Sequence, residues 1–200
     1  MAVTPLVSVI IVNYNAGKLL LNCVESVFLS NNENYEVIIV DNCSSDNSHK
    51  ECKKKFDRIK LIENSENLGY CEGNNVGIRN ASGDYLLILN PDTIIESDLI
   101  EKFLETIKNY GEGLFQGKNV AIDNDNILRS TGNWINIFGF GYARDKGTKE
   151  SKEFFNVEEI NYASGTCLFT STKTMKKIGL FDSFLFLYHD DLDLGWRASC

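Results

Sequence analysis

The chain has 200 residues, 43% apolar and 24% charged, with a formal charge of -8. Those proportions suit one soluble globular core. The acidic balance excludes a surface that wraps nucleic acid, which needs clustered Lys and Arg, so an anionic ligand has to be gripped locally by backbone N–H groups, a metal ion or a few placed cations.

The N-terminal "MAVTPLVSVIIVNYNAGK" is too short an apolar run to span a bilayer, and it lacks the basic start and cleavage site of an export signal. The six cysteines show no C-x-x-C pair, so free thiols in a reducing cytoplasm are expected. "LVSVIIVNY" (6–14) and "YEVIIVDN" (35–42) are β-branched, nearly continuous apolar runs, the pattern of parallel strands covered on both faces. Between them, Leu20, Cys23, Val24, Val27 and Phe28 form one helical stripe. Ser44, Ser45 or Asp46 can cap a short polar helix carrying His49. "IKLIEN" (59–64) and "YLLILN" (85–90) read as further strands. Strands alternating with helices predict an α/β sheet with right-handed crossovers.

Residues 96–110 predict an amphipathic helix capped by Ser97, with Leu99, Phe103, Leu104 and Ile107 inward. Beyond Gly111, two strands joined at Asp123–Asn126 are expected, then a long loop over 131–158. A strand within 163–171, a helix closed by Gly179 and a last helix beginning near "HDDLDLGWR" complete the pattern. With no repeat and no low-complexity linker, the second half is expected to extend the same domain.

In an open parallel sheet, ligands bind beyond the carboxyl ends of the strands. Three predicted strands end in Asn13-Tyr14-Asn15, Asp41-Asn42 and Asn90-Pro91-Asp92. Each alone can be turn chemistry; together they can face one crevice. Pro91 ends its strand and would aim Asp92 at that crevice, a hard carboxylate suited to Mg2+ or Mn2+. Gly69, Gly73, Gly77 and Gly83 allow either close approach to phosphate or tight helix–sheet packing. Asp190, Asp191 and Asp193 crowd a helix start. They can serve the helix dipole and an Asp193–Arg197 pair, or catalysis, with Asp191 turned about 100° from Asp190 toward a cleft.

In this order, "VSVIIVNYN", "VIIVDNCSSDNS", "NLGYCEGNNVGIRNASGDYLLILNPDT" and "GLFDSFLFLYHDDLDLGWR" resemble family 2 glycosyltransferases, most closely a rhamnosyltransferase-like branch. The resemblance implies a GT-A fold: a Rossmann-like, mostly parallel sheet flanked by helices, with a small extra β element in the second half. It implies one domain over 1–200, with a nucleotide-binding half (1–95) and an acceptor and catalytic half (96–200) that continues past Cys200 in relatives. Asn13, Asn15, Asp41, Asn67, Gly69, Asn74 and Asn90 would contact the nucleotide sugar, Asp41 at the base. Asp92 would hold a divalent cation, Mg2+ or Mn2+, with Asn90 replacing the first Asp of the family's Asp-x-Asp. Asp191 would be the catalytic base, and Asp190 and Trp196 would lie on the acceptor side. The implied activity is inverting transfer from a dTDP-, UDP- or GDP-linked sugar to a glycan or lipid-linked acceptor, as part of polysaccharide biosynthesis. Nucleic acid is not an expected partner. The expected location is the cytoplasm, at the inner face of the membrane if a further C-terminal segment attaches there. A nucleotide-sugar-binding module without turnover is the alternative. A nucleotidyltransferase would need a basic Gly-rich loop after the first strand, where only Gly17 and Lys18 stand.

Overall fold

β1, Val7–Asn13, is buried along its whole length. Its β-branched side chains fill both faces, as a parallel strand covered on both sides requires. In this structure, a computed structural model that describes residues 5–122 and 126–200, β1 pairs in parallel with β2 (Tyr35–Asp41) and β4 (Tyr85–Leu89). β3 (Lys60–Glu63) pairs in parallel with β2. β10 (Cys167–Ser171) and β5 (Phe115–Gln116) extend the sheet antiparallel, giving the order β3-β2-β1-β4-β10-β5. The second half thus completes the sheet begun by the first.

Alternate residues of each strand feed two cores. Val7, Val9 and Ile11 face α1 (Lys18–Phe28), α2 (Ser48–Lys55) and α4 (Leu99–Tyr110). Ile10 and Val12 face α3 (Gly69–Arg79), α5 (Thr172–Ile178) and α6 (Asp190–Ser199). The predicted α1 stripe is the buried one, with Phe28 at its edge. In α4 the buried set is Ile100, Phe103 and Ile107, and Leu99 and Leu104 flank it. Phe103 stacks on Phe169 with ring centroids 4.8 Å apart, a pairing worth about 1 kcal/mol beyond area burial.

The glycines of α3 resolve into the packing alternative. A Cβ on Gly73 would sit 2.8 Å from Val12 Cγ1, and one on Gly77 would collide with Ile10 Cγ2. That helix face is pressed on β1 and is closed to phosphate. Gly69 differs: it opens the helix at φ +78, a left-handed conformation that favours glycine.

Some local expectations are corrected. Asn47 precedes α2 in left-handed conformation, and Asp98 precedes α4; neither makes a side-chain cap. Asp46 instead accepts from Ser48 N at 3.0 Å, one residue inside the helix. His49 sits on a helix that reads as polar, yet it is buried, because that face packs on β2 and β3. The 131–158 stretch is not one loop. β8 (Asn133–Ile135) and β9 (Gly141–Ala143) form a hairpin, followed by a 3-10 turn at Lys152–Phe155. β6 (Asn119–Val120) and β7 (Leu128–Ser130) form the expected antiparallel pair. Their predicted junction falls largely on residues 123–125, outside the described residues.

Candidate functional site

β1 connects leftward to β2 and β3, whereas β4 lies on its other side. The strand order reverses at that point, beyond the carboxyl ends of β1 and β4, the place where open α/β sheets bind ligands. Asn13 ends β1 directly opposite Asp41 at the end of β2. Asn13 Nδ2 donates to Asp41 Oδ1 at 2.7 Å and also lies 3.0 Å from Ser44 Oγ and 2.9 Å from Ser48 Oγ. Asp41 Oδ2 accepts from Ser44 N at 2.9 Å. His49 Nδ1 stands 3.1 Å from Asp41 Oδ1, while His49 Nε2 lies 3.2 Å from Glu63 Oε1. Asp41 is only 2% exposed, so both its oxygens hold the 41–48 turn. Any base contact would have to share them.

The same turn grips the start of α1. Asn15 Oδ1 accepts from Ser45 N at 2.8 Å, Ser44 Oγ accepts from Asn15 N at 2.9 Å, and Asp46 Oδ2 accepts from Gly17 N at 2.8 Å. Asn15 itself is exposed at the rim. Burial pulls the Asp46 carboxyl upward, but the Ser48 and Gly17 donors outweigh it and leave it below the ordinary value. Asn42 ties the turn to the next helix, donating to Gly69 O at 2.9 Å and accepting from Asn64 Nδ2 at 2.8 Å. Asn67 Oδ1 accepts from Gly69 N at 2.9 Å, which positions the first turn of α3. Asn74 is wholly buried; its Nδ2 bonds Tyr70 O at 2.9 Å, and its Oδ1 has no partner among the described residues.

At the end of β4 the chain makes a β-turn. Thr93 N donates to Asn90 O at 3.1 Å, with Pro91 at the second position, where its fixed φ is favoured. Asp92 occupies the third position, exposed, with no hydrogen bond or ion pair among the described residues. Its carboxylate is one reason why the thiol of Cys23 is pushed up to about 12, after burial. Asn90 N donates to Thr166 O at 3.1 Å, and Thr93 Oγ1 donates to the same carbonyl at 3.3 Å.

Thr166 belongs to Ser164-Gly165-Thr166, which leads into β10. On its other side lies α6. The Ser164 hydroxyl accepts from Thr166 N at 3.3 Å. The turn that holds Asp92 is thus tied to this span through Thr166, and Ser164 of the same span influences the Asp191 carboxyl. Burial raises the Asp191 carboxyl above its ordinary range, opposed by the Leu192 N–H, His189 and Ser164. Asp190, expected on the acceptor side, is buried, 7% exposed, near Tyr70 and Cys71 of α3. Burial first, and the charge of Asp191 second, push its carboxyl up to about 6. Asp193 pairs with Arg197 at 2.6 Å, and Arg197 also donates to Ile178 O and Leu180 O. Trp196 is 61% exposed, and helical register turns it about 140° from Asp191; it is not brought to the others.

Ser44, Ser48, His49, Tyr70, Ser164 and Thr166 lie around these residues and were not read from the sequence as site residues. "ASGT" directly before a buried strand was the available signal for Ser164. Among the described residues, no three His, Cys, Asp or Glu side chains gather into a metal cage. A cavity of about 630 Å3 lies elsewhere, between α4, β5, β6 and residues 154–158. It touches Thr93 but none of Asn13, Asp41, Asp92 or Asp191.

Residues 8–179 match the family described as Glycosyl transferase family 2. Glycosyltransferase GlyG of Streptococcus pneumoniae serotype 4 (strain TIGR4) is 29% identical over 97% of this chain and 71% of its own. S. aureus TarS in complex with UDP-GlcNAc superposes with a TM-score of 0.70 at 20% identity, over 96% of this chain and 52% of that one. Mannosyltransferase PcManGT from Pyrobaculum calidifontis, in complex with GDP-Man and Mn2+, gives 0.67 at 16% identity, over 98% of this chain and 52% of that one. This chain spans about half the length of the two solved chains it resembles.

Proposed function

The chain belongs to glycosyl transferase family 2 and has the GT-A fold, and from that premise we propose that it catalyses inverting transfer of a sugar from a nucleotide diphosphate to an acceptor hydroxyl. The observation that supports this reading is the tie between the Asn90–Thr93 turn, which carries Asp92, and Thr166, at the sheet edge where Asn13 and Asp41 end their strands. TarS and PcManGT hold UDP-GlcNAc and GDP-Man in their complexes. Donors of that class fit a crevice of this polarity, the sugar being a hexose or, by the motif resemblance, a deoxyhexose such as rhamnose. The acceptor is a glycan or a lipid-linked saccharide. Among the described residues no helix is long and apolar enough to cross a membrane.

Asn15 and the turn braced by the buried Asn13 and Asp41 form the nucleotide end, and Asn67, Gly69 and Asn90 lie beside the sugar and diphosphate, with Asn74 buried behind them. Asp92 is an exposed carboxylate on a β-turn, without a hydrogen bond or ion pair among the described residues, which fits a hard cation held together with substrate phosphates. Mg2+ or Mn2+ bound there would neutralise the charge that grows on the departing diphosphate. Asp191 takes the proton of the acceptor hydroxyl as that oxygen attacks the anomeric carbon and the carbon–phosphate-oxygen bond breaks. The leaving diphosphate keeps the electron pair. One displacement inverts the configuration, and no covalent sugar–enzyme bond forms. A carboxyl raised by burial is a stronger base than an exposed one.

Calorimetric titration with UDP-, GDP- and dTDP-linked sugars, with and without Mn2+, tests the donor assignment; no heat from any of them refutes it. Donor hydrolysis that falls by about 100-fold or more in Asp191→Asn supports the base assignment. Binding without turnover in the wild-type chain would assign a nucleotide-sugar-binding module instead.

A further inference from the structure

The cavity between α4, β5, β6 and residues 154–158 measures about 630 Å3, within the roughly 300 to 1,000 Å3 typical of small-molecule sites. It adjoins the proposed transfer site without containing Asp92 or Asp191. Thr93, next to Asp92, and Cys167, next to Thr166, are on its wall. So is Gln116, whose Oε1 accepts from Ser164 N at 2.8 Å.

The charged side chains of this wall are already paired. Lys102 contacts Glu96 at 3.2 Å and Asp98 at 2.9 Å, Lys118 pairs with Glu150, and Arg144 meets Glu158 at 2.8 Å. A phosphate or a metal ion entering the cavity therefore meets no free countercharge. The threonine hydroxyls are engaged as well: Thr93 donates to Thr166 O, Thr106 to Lys102 O and Thr131 to Asp145. Gln116 uses both ends of its amide, accepting from Asn133 Nδ2 at 2.7 Å and donating to Ser130 Oγ at 3.2 Å. Asn119, Asn126 and Asn156 differ. They line the same cavity, and their side chains make no hydrogen bond among the described residues.

An amide offers N–H donors and a carbonyl acceptor together, the complement of a hydroxyl, which both donates and accepts. A purely apolar ligand would strip water from these amides and leave them without partners. Phe155 supplies the apolar part. Its ring is 68% exposed, and Lys118 Nζ, held by Glu150, lies 4.2 Å from its centroid. The C–H face of a pyranose can pack on such a ring while its hydroxyls reach amides at the edge. We propose that this cavity is a second saccharide site, which takes a neutral sugar unit of the acceptor glycan on the Phe155 ring and the amides of Asn119, Asn126 and Asn156, apart from the donor and from the unit that receives the transferred sugar. This rests on the reading of the chain as a transferase with a glycan acceptor. Binding of a remote unit is then available to orient the reacting one.

The test is a nitrogen-15 NMR titration of wild type, Phe155→Ala and Asn119→Ala with cellobiose, maltose and N,N′-diacetylchitobiose, and with inorganic phosphate and 1-octanol as the anionic and apolar arms. In the wild type, at least one disaccharide should shift the signals of Asn119, Asn126, Phe155 and Asn156 saturably. Its affinity should fall by about tenfold or more in both variants, each losing one of the contacts that hold the sugar. Phe155 is exposed, so its variant should keep a folded, well-dispersed spectrum. Calorimetry with UDP-GlcNAc and GDP-mannose in the presence of Mn2+ should give donor affinities within about twofold of wild type in both variants. The proposal is overturned if no disaccharide shifts these signals, if the shifts persist undiminished in the variants, or if phosphate or octanol moves them in place of the sugars. Donor affinity lost in step with disaccharide affinity would make the cavity part of the donor site and overturn its separate role. Silence toward every donor, with the disaccharide shifts intact, would sink the transferase reading and leave the cavity as a carbohydrate-binding site.

Discussion

Replacing Asp190 by Asn should make the protein more stable at neutral pH than the wild type, and the gain should be readable from the structure. Asp190 is buried against α3, and its carboxyl is pushed from its ordinary 3.8 up to about 6 by desolvation and by Asp191. The folded chain therefore holds that proton more tightly than the unfolded chain does. Its contribution is fully present below about pH 4 and is lost as pH rises through about 6, where the buried carboxylate must ionise. At about 1.4 kcal/mol per pH unit, the interval from 3.8 to about 6 is worth up to about 3 kcal/mol. Asn cannot ionise and keeps nearly the same volume. Urea unfolding of both proteins across about pH 4 to 8 should give curves that agree at the acid end and separate by about 2–3 kcal/mol above pH 6. Curves that stay parallel over that range would refute the claim that Asp190 is buried with its charge opposed.

Three further outcomes follow from particular contacts. Gly77→Ala should destabilise by about 1–3 kcal/mol in chemical denaturation, because the added methyl meets Ile10 and outweighs the roughly 1 kcal/mol that Ala gains in a helix; a stabilised variant contradicts the packing. Asn75→Ala should cost about 2–4 kcal/mol, since Asn75 accepts from Phe181 N at 3.1 Å and donates to Phe181 O at 2.9 Å, and both groups would be left unpaired. Equal midpoints for variant and wild type would argue against that pair. Asp92→Ala should abolish the Mn2+-dependent part of nucleoside diphosphate affinity while leaving the unfolding midpoint near wild type, because the carboxylate makes no bond within the described chain. Calorimetry with and without Mn2+ checks it, and an undiminished Mn2+ effect would place the cation elsewhere.

The buried strands and the amphipathic helices were legible because period-two and period-3.6 apolar patterns record which faces meet a core, as in β1, β2, α1 and α4. So were Asn13, Asp41 and Asp92 as strand-end residues, since a parallel sheet brings such ends to one edge. The sequence could not say which acidic residue of the 190–191 pair would be buried. Nor could it show that His49 would lie inside a helix with almost no apolar content, since both outcomes depend on what α3 and β3 place against them. The glycines of α3 were ambiguous for the same reason: a missing side chain records closeness without naming the neighbour, and only the packed structure shows Val12 and Ile10 there. The tie between α3 and the span leading into β10 was beyond sequence altogether: Tyr70 and Gly165 meet at positions 95 apart, and local pattern carries no information about which distant carbonyl a tyrosine hydroxyl will find. Local chemistry chose the elements and their ends; the antiparallel docking of β10 beside β4 set the Ser164–Thr166 span against the turn that carries Asp92.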